Sequence, residues 1–191
     1  MNASWPLEIV DGDLLLTPLR LRDRAQWDSV REINQKWLEP WEATRPSVDL
    51  DTPLPNFTQM VRRFRREARA GRSITLAIWF HEGNRWNFVG QVTLGGIVMG
   101  AFRGAHIGYW IDQRFANRGL TTRAVQLISD YGFSHLHLHR IEINLRPENE
   151  ASRRVAEKAG FIFEGVRNRY LHISGQWRDH LCFVKENSAI L

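Results

Sequence analysis

The chain is poor in cysteine and has no long apolar run, and each absence excludes a class of protein. Cys182 is the only cysteine among the 191 residues, which excludes a disulfide framework and a cysteine-based metal site. No apolar run approaches the roughly 20 residues that a membrane span requires. The N-terminus has Trp5, Pro6 and Glu8 where a signal peptide has its apolar core. We therefore expect a cytoplasmic protein without a membrane segment.

The remaining composition indicates a folded domain. Eight tryptophans and ten phenylalanines within a hydrophobic fraction of 43% exclude a disordered chain. The length predicts a single domain over residues 1–191, and no internal repeat or low-complexity tract interrupts it. The formal net charge of +5, from 26 Lys and Arg against 21 Asp and Glu, suits an acidic ligand or a nucleic-acid-rich neighbourhood without selecting either.

The order of helix-like and strand-like segments predicts an α+β fold around a mixed sheet. Alternating and β-branched runs predict strands, and apolar spacings of three and four residues predict helices. The proline-rich segment from Trp37 to Pro55 is interpreted as a long loop with aromatic anchors. Asp23 is a predicted N-cap and Gly160 a predicted C-cap. Strands are predicted over 14–19, 73–80, 86–97, 106–111, 140–145, 162–173 and 177–185, and helices over 24–34, 57–68, 124–133 and 148–159.

The segment from Asn117 to Ala124 joins the strand at 106–111 to the helix at 124–133 and has the composition of an anion-binding loop. Asn117 and Gly119 tolerate the left-handed backbone of a tight turn. Unpaired N–H groups and the dipole of the helix start both favour a phosphate. Hydroxyls and cations surround the helix start: Arg118, Thr121, Thr122 and Arg123. The sequence therefore predicts a phosphate-bearing ligand.

The helix at 57–68 combines an apolar stripe with a strongly basic exterior. The stripe consists of Phe57, Val61, Phe64 and Ala68, and the other faces carry arginines that include Arg62, Arg63 and Arg66. A solvated outer face accounts for this pattern, and so does a contact with RNA or the ribosome. Both interpretations stay open.

This order of elements, with the phosphate loop after the fourth strand, resembles the GCN5-related N-acetyltransferase (GNAT) family. The run from Tyr170 to His180 is similar to the RimJ/RimL branch, whose members acetylate the N-terminal alanine of a ribosomal protein. The resemblance covers nearly the whole chain. It implies the GNAT acyl-CoA N-acyltransferase fold, with a central, mostly antiparallel mixed sheet of about seven strands flanked by about four helices. It also implies acetyl-CoA as the cosubstrate.

The resemblance implies where acetyl-CoA binds. Family members hold its pyrophosphate on backbone amides of a Gln/Arg-x-x-Gly-x-Gly/Ala loop; here Gly119 obeys the pattern, whereas Ala116 and Thr121 depart from it. Asn149 matches a residue beside the pantetheine arm, although an ordinary helix N-cap explains it equally well. Amides of the strand 108–111 are expected to bind the pantetheine and the thioester oxygen. The predicted cofactor-binding residues are Tyr109, Trp110, Ile111, Asn117, Arg118, Gly119, Leu120, Thr121, Thr122, Asn149 and Ser152.

Acetyl transfer requires a neutral amine and a protonated leaving thiol. An α-amine has a reference pKa of ~7.7–8.0, far below the ~10.4 of lysine, so a carboxylate base suffices. Glu164 matches the general base proposed in Rim-type enzymes, and its apolar neighbours are expected to raise its pKa. A salt-bridged carboxylate at a strand edge is the alternative interpretation. Ser152 is the predicted acid for the thiolate, Tyr170 the alternative acid, and Asp179 a structural or acceptor-binding carboxylate.

No metal is expected. His135, His137 and His139 alternate along the chain, but no carboxylate or cysteine lies near them in a ligand pattern.

Three functions fit these observations. The leading one is acetyl-CoA-dependent acetylation of a protein N-terminus by direct attack in a ternary complex, with a ribosomal protein as the candidate acceptor. The second keeps the chemistry and takes a small cationic amine, such as an aminoglycoside or a polyamine. The acidic residues of the proline-rich segment favour it: Glu39, Glu42, Asp49 and Asp51. The third is a non-catalytic ribosome- or RNA-associated protein of the same fold that uses Arg62, Arg63 and Arg66. A monomer and a dimer are both compatible with the sequence.

Overall fold

The computed structural model describes residues 6–49 and 53–189, and its strands form one eight-stranded sheet. Trp5 lies outside the described residues, and so do residues 50–52 of the proline-rich segment, which include Asp51. The strands are β1 (Ile9–Asp11), β2 (Leu14–Thr17), β3 (Ile74–Glu82), β4 (Arg85–Val98), β5 (Gly104–Ile111), β6 (Arg140–Leu145), β7 (Ile162–Ile173) and β8 (Gln176–Glu186). The helices are α1 (Arg24–Ile33), α2 (Gln35–Leu38), α3 (Phe57–Arg69), α4 (Leu120–Ser134) and α5 (Glu150–Lys158).

The sheet order is β1-β2-β3-β4-β5-β6-β8-β7. The strands from β1 to β5 pair antiparallel with their sequence neighbours; short connections join β1 to β2, β3 to β4 and β4 to β5, whereas α1, α2 and α3 lie between β2 and β3. β5 and β6 run parallel, and α4 makes the crossover between them. β6 then pairs antiparallel with β8, which pairs antiparallel with β7. The single parallel pair therefore lies inside an otherwise antiparallel sheet.

Each face of the sheet carries its own core, because side chains alternate between the faces along a strand. On one face α4 and α5 pack over the larger core, which includes Leu94, Ile107, Ile128 and Ile141. On the other face α1 and α3 pack over a smaller core. That core joins Val30, Met60, Val61 and Phe64 to Ala77, Trp79 and Phe88. None of the described helices is long and apolar enough to cross a bilayer.

The structure confirms most predicted elements and corrects three details. The sheet has eight strands rather than about seven, because the short β1 pairs with β2 through Ile9↔Leu16 and two further pairs. α4 starts one turn earlier than predicted, since Gly119 at φ +77 turns the chain directly into the helix. Asp23 precedes α1 but does not cap it; its carboxylate accepts the Arg20 N–H at 2.7 Å instead.

Candidate active site

A cleft opens where β5 and β6 separate. These two strands pair through Gly104–His106 and Arg140–Glu142, and their C-terminal halves do not pair with each other. The divergence leaves a cavity of about 960 Å³, lined from both faces of the sheet. Ile107, Tyr109 and Ile143 line it on the α4–α5 side, and Gly108, Trp110 and Asn144 line it on the other side. The cleft therefore passes through the sheet and connects its two faces.

The N-terminus of α4 closes the first half of the cleft. Asn117 and Gly119 adopt φ values of +62 and +77, so the predicted left-handed turn is present. The first-turn N–H groups of an α-helix have no intrahelical partner, and here they belong to residues that line the cavity, among them Thr121 and Thr122. Leu120 as a whole is only 2% exposed, so its side chain belongs to the core rather than to a ligand-binding surface.

α5 contributes the second wall of this half, including cations that the sequence interpretation missed. Asn149 Oδ1 accepts the Ser152 N–H at 2.9 Å, so Asn149 caps the helix and also lines the cavity. Arg154 and Lys158 line the same cavity one turn apart, and no ion-pair partner for either is found among the described residues. The sequence spacing could have identified Arg154 and Lys158, because positions 151, 154, 155 and 158 share one helix face.

The predicted cations of the loop point elsewhere. Arg118 does not line the cavity; it donates to Glu82 Oε1 at 2.8 Å and stacks over Phe115 at 4.9 Å. Arg123 lines the cavity, yet its guanidinium binds Asp11 and Asp13 and thereby fastens the β1–β2 hairpin to α4. The cationic part of an anion site therefore comes from α5 rather than from the loop.

The residues present fit a coenzyme A molecule. Unpaired helix N–H groups and the α5 cations suit its phosphates, because both favour negative charge. A Cβ atom built on Gly108 or Gly119 would meet no atom within 4 Å, so both glycines border open space in the cleft. The unpaired edge of β5 offers backbone groups to an amide-containing arm, apart from the Ile111 carbonyl, which accepts from Trp37 Nε1 at 3.2 Å.

Two hydroxyl groups meet at the floor of the cleft. Tyr109 Oη lies 2.8 Å from Ser152 Oγ and also donates to the Ser152 carbonyl at 3.2 Å. Burial raises the pKa of Tyr109 above its ordinary value, so the phenol stays protonated. The side chain of Tyr109 therefore positions Ser152 in addition to packing against the core.

The second half of the cleft has an apolar roof built from the segment 37–44, which lies within the predicted functional loop. Trp37, Leu38 and Trp41 line the cavity. Arg146 holds the segment in two ways. Its Nη1 donates to the Pro40 carbonyl at 2.9 Å, and its Cζ lies 5.6 Å from the centre of the Trp41 ring. An isolated bridge pairs the segment with the end of β7, where the Thr44 N–H donates to the His172 carbonyl at 2.8 Å. Two long-range anchors thus fix the roof.

The polar groups beneath this roof come from distant parts of the chain. Asn144 and His180 line the cavity there, and neither was predicted as a site residue. Glu42 also lines it, in a two-bond ion pair with Arg31. Glu148 forms an ion pair with Arg146, in which Oε2 lies 3.2 Å from Nε. The carboxylates of this half are therefore neutralised by arginines.

Two predicted catalytic residues lie outside the cavity. Glu164 binds Arg140 through two hydrogen bonds near the start of β6, whereas the cavity begins at Ile143. Arg140 holds the pKa of Glu164 below its ordinary value, so the expectation that apolar neighbours raise this pKa is wrong. Its position matches the alternative interpretation, a salt-bridged carboxylate at a strand edge. Tyr170 packs edge-on against His180 at 5.5 Å without lining the cavity.

The other predicted positions also have defined surroundings. Asp179 Oδ1 accepts the Arg169 N–H at 2.7 Å, which fits the structural role rather than acceptor binding. Trp110 and Ile111 line the cleft, and Trp110 also packs against Phe88 at 5.6 Å. Among the described residues, no group of three His, Cys, Asp or Glu side chains is placed to hold a metal ion.

A cleft of this form defines a class: an acyltransferase that takes a phosphate-bearing acyl donor on one face of its sheet and an acceptor on the other. The sequence model of the acetyltransferase (GNAT) domain matches residues 13–162, and the chain belongs to that family. The match covers most of the elements that build the cleft, from β2 to the start of β7.

Known proteins support the same assignment. The [ribosomal protein uS5]-alanine N-acetyltransferase of Escherichia coli is 30% identical over 187 residues, 94% of this chain and 91% of that protein. The probable N-acetyltransferase YjcK of Bacillus subtilis is 46% identical over 92 residues, which span 48% of this chain and 51% of that protein. The structure of Mycobacterium smegmatis RimJ in complex with CoA-disulfide matches with a TM-score of 0.86 at 35% identity, covering 97% of this chain and 90% of that one. The predicted family, RimJ-like branch, fold, acetyltransferase class and acetyl-CoA cosubstrate are confirmed.

Proposed function

We propose that this acetyltransferase modifies the α-amine of a protein N-terminus, with a ribosomal protein as the acceptor. The observation that supports the proposal most directly is the cleft through the sheet, which joins an anion-binding half to an acceptor half of neutral overall charge. The similar proteins of E. coli and M. smegmatis carry the names of such enzymes. All described strands belong to one sheet, which supports a single catalytic domain over residues 1–191.

We assign the acetyl-CoA contacts to the first half of the cleft. The first-turn N–H groups of α4 bind the pyrophosphate, together with the hydroxyls of Thr121 and Thr122. Arg154 and Lys158 add charge from α5. Asn149, Ser152 and the backbone of Tyr109, Trp110 and Ile111 border the path toward the gap between β5 and β6. Arg118 has no part in this assignment, because Glu82 holds its guanidinium.

The chemistry then takes place in the gap between the strands. When bound, acetyl-CoA supplies the thioester carbonyl that the amine attacks and the thiol that leaves. Unpaired N–H groups on the β5 edge stabilise negative charge on an oxygen in the gap. Ser152 supplies a proton to the departing sulfur and regains one from water, while the Tyr109 hydroxyl holds Ser152 Oγ in place. Tyr170 and Glu164 do not line the cavity, and neither has a part in this assignment.

The charges beneath the roof favour a neutral or singly charged acceptor over a polyamine. Glu42 and Glu148 are neutralised by Arg31 and Arg146, and Glu39 does not line the cavity. A polyamine or aminoglycoside carries several positive charges and would need unpaired carboxylates to compensate them. The tryptophans of the roof instead suit the small apolar side chain of a first residue such as alanine.

The basic face of α3 supports a ribosomal setting. Arg62, Arg63 and Arg66 are exposed, and α3 packs on the same face of the sheet as Trp110, which lines the acceptor half. We assign this face to contact with RNA phosphates near the acceptor protein, in the cytoplasm where ribosomes and acetyl-CoA occur together. Replacing the three arginines by glutamine should weaken RNA binding. The slope of the logarithm of the binding constant against the logarithm of salt concentration should become shallower by about one for each lost phosphate contact.

The acceptor is tested by thiol release from acetyl-CoA with a panel of amines. The panel contains peptides that start with alanine or serine, the same peptides with a blocked N-terminus, spermidine and an aminoglycoside. We expect turnover with the free peptides only. Faster turnover with spermidine than with either peptide would contradict the proposal, and so would thiol release with the blocked peptides.

A further inference from the structure

His180 is held in one tautomer beneath the roof of the acceptor half. It is only 2% exposed, and its Nδ1 lies 3.0 Å from the Arg178 carbonyl oxygen. A carbonyl oxygen only accepts, so Nδ1 carries the proton and Nε2 of the neutral ring keeps its lone pair. No partner for Nε2 is found among the described residues. A buried histidine that lines the cleft therefore offers it an unpaired acceptor atom.

Asn144 offers a second acceptor atom beside it. Asn144 Oδ1 is buried and has no hydrogen-bond partner among the described residues. A buried amide oxygen without a partner is less stable than a bonded one, so such an atom is expected to receive a donor. Asn144 lines the same cavity at the point where β6 has left β5.

The strand register brings the two acceptors to one place. Asn144 on β6 pairs with Cys182 on β8, and His180 lies two residues before Cys182. Side chains two residues apart share a face of the sheet, so Asn144 and His180 are diagonal neighbours on the acceptor side. Gly108 lies on the same face, because His106 pairs with Glu142 and both positions are two residues earlier. The open space at Gly108 therefore lies between the acceptor atoms and β5.

We propose that His180 and Asn144 receive the amino group of the acceptor: Asn144 Oδ1 accepts one N–H and orients the nitrogen, and His180 Nε2 takes one proton and acts as the general base. This inference rests on the proposed function, since it assigns the group that activates the α-amine in that reaction. It replaces Glu164 in that role. The ammonium gives one proton to Nε2, the imidazolium passes it to water, and the neutral nitrogen forms a bond to the thioester carbonyl carbon. As the C–S bond breaks, the nitrogen gives its second proton to the vacated Nε2, while Ser152 protonates the departing sulfur and regains a proton from water.

The surroundings of His180 keep its ring neutral, so Nε2 is free to accept a proton. Burial lowers its pKa, and the contact with the Arg178 carbonyl opposes that shift without cancelling it. The nearby charges are Arg146 and Glu148 after β6 and Asp179 on β8, while Tyr170 presents its ring from β7. Glu42 on the roof is paired with Arg31. The ring is therefore neutral at pH 7, and the same burial lowers the pKa of an ammonium that enters the cleft.

The test compares wild type with His180→Asn, which keeps a donor for the Arg178 carbonyl and removes Nε2. With an alanine-starting peptide and saturating acetyl-CoA, we expect kcat at pH 7 to fall about 100-fold, the lower end of general-base effects. The defect should shrink above about pH 8, where the α-amine is neutral without help. Asn144→Leu should mainly raise the KM for the peptide. Glu164→Gln is the matched control and should keep the wild-type pH profile.

A second readout does not depend on turnover. Histidine NMR spectra of the protein without ligands, assigned by the loss of one signal in His180→Asn, should show the Nδ1–H tautomer and a pKa below the ordinary ~6.5. Folding of each variant is checked by thermal unfolding, and His180→Gln serves if His180→Asn does not fold. An unchanged kcat and pH profile in the His180 variant overturns the inference while the proposed function stands. No turnover of any free peptide by the wild type overturns both.

Discussion

Tyr109 Oη and Ser152 Oγ lie 2.8 Å apart and join β5 to α5 across the floor of the cleft. The contact has a clear cause in the sequence. Side chains alternate along a strand, so Tyr109 points to the α4–α5 face while Trp110 points to the opposite one. Asn149 caps α5, which places Ser152 in the first turn of that helix. A hydroxyl that can donate to a leaving sulfur is thereby fixed by a second hydroxyl behind it.

Removal of the Ser152 hydroxyl should therefore slow the reaction more than it weakens binding. In Ser152→Ala we expect kcat to fall about 10- to 100-fold, with the KM for acetyl-CoA nearly unchanged, because only the proton donor is lost. Tyr109→Phe should cost less, since Ser152 remains. Steady-state kinetics measure both variants. A larger loss in Tyr109→Phe than in Ser152→Ala would assign the proton to the phenol instead.

The cations of α5 should determine the affinity for acetyl-CoA. For Arg154→Gln combined with Lys158→Gln we expect the Kd for CoA to rise about tenfold, or ~1.4 kcal/mol, with a weaker dependence on salt. Arg118→Gln is the matched control from the predicted loop and should change the Kd little, because Glu82 holds that side chain. Calorimetric titration with CoA distinguishes them. A larger rise in the Kd for CoA in Arg118→Gln than in the double variant would show that the loop, rather than α5, supplies the main positive charge for CoA.

Gly108 keeps the acceptor side of the cleft open. A Cβ there meets no atom within 4 Å, so Gly108→Ala should fold and retain most of its activity. Gly108→Val should also fold, since valine favours strands, but its methyl groups would occupy the space beside Asn144. We expect the KM for the peptide to rise by at least about tenfold, or ~1.4 kcal/mol, in Gly108→Val. Equal KM values for the two variants would show that the acceptor passes elsewhere.

Glu164 should matter for stability rather than for the rate. Glu164→Gln should change kcat by less than about twofold, because this surface carboxylate does not line the cavity. Its half-exposed carboxylate has a lowered pKa in the folded state because it binds Arg140. The ion pair therefore stabilises the fold above the ordinary carboxyl pKa, and this contribution is lost as the pH falls through the lowered value. Thermal unfolding of the variant and wild type should differ at pH 7 and converge in strong acid.

The features that the sequence predicted correctly are local ones. The apolar stripe of α3 and the left-handed turn at Asn117 and Gly119 each depend on residues within a few positions, so periodicity and turn chemistry identify them. The anion half of the cleft is local as well, since Gly119 and Asn149 start the two helices that wall it.

The missed features depend on long-range pairing. Arg118 meets Glu82, which lies 36 residues away, and Arg123 meets Asp11 at a separation of 112, so neither side chain could be excluded as a phosphate ligand from the sequence. The acceptor half combines Trp37, Asn144 and His180, which only the strand register and the 37–44 segment bring together. Glu164 carried a matching motif, but its ion pair with Arg140 reaches across β8 and depends on how β6, β8 and β7 pair, which the sequence does not show.

The central claim is that the acceptor is an α-amine. A peptide with a free N-terminal alanine and one internal lysine tests it most directly, after incubation with the protein and saturating acetyl-CoA near pH 7.5. Tandem mass spectrometry then locates the acetyl group. We predict acetylation of the N-terminal nitrogen with the lysine left unmodified. Acetyl groups on the lysine, or an unmodified peptide, would contradict the account.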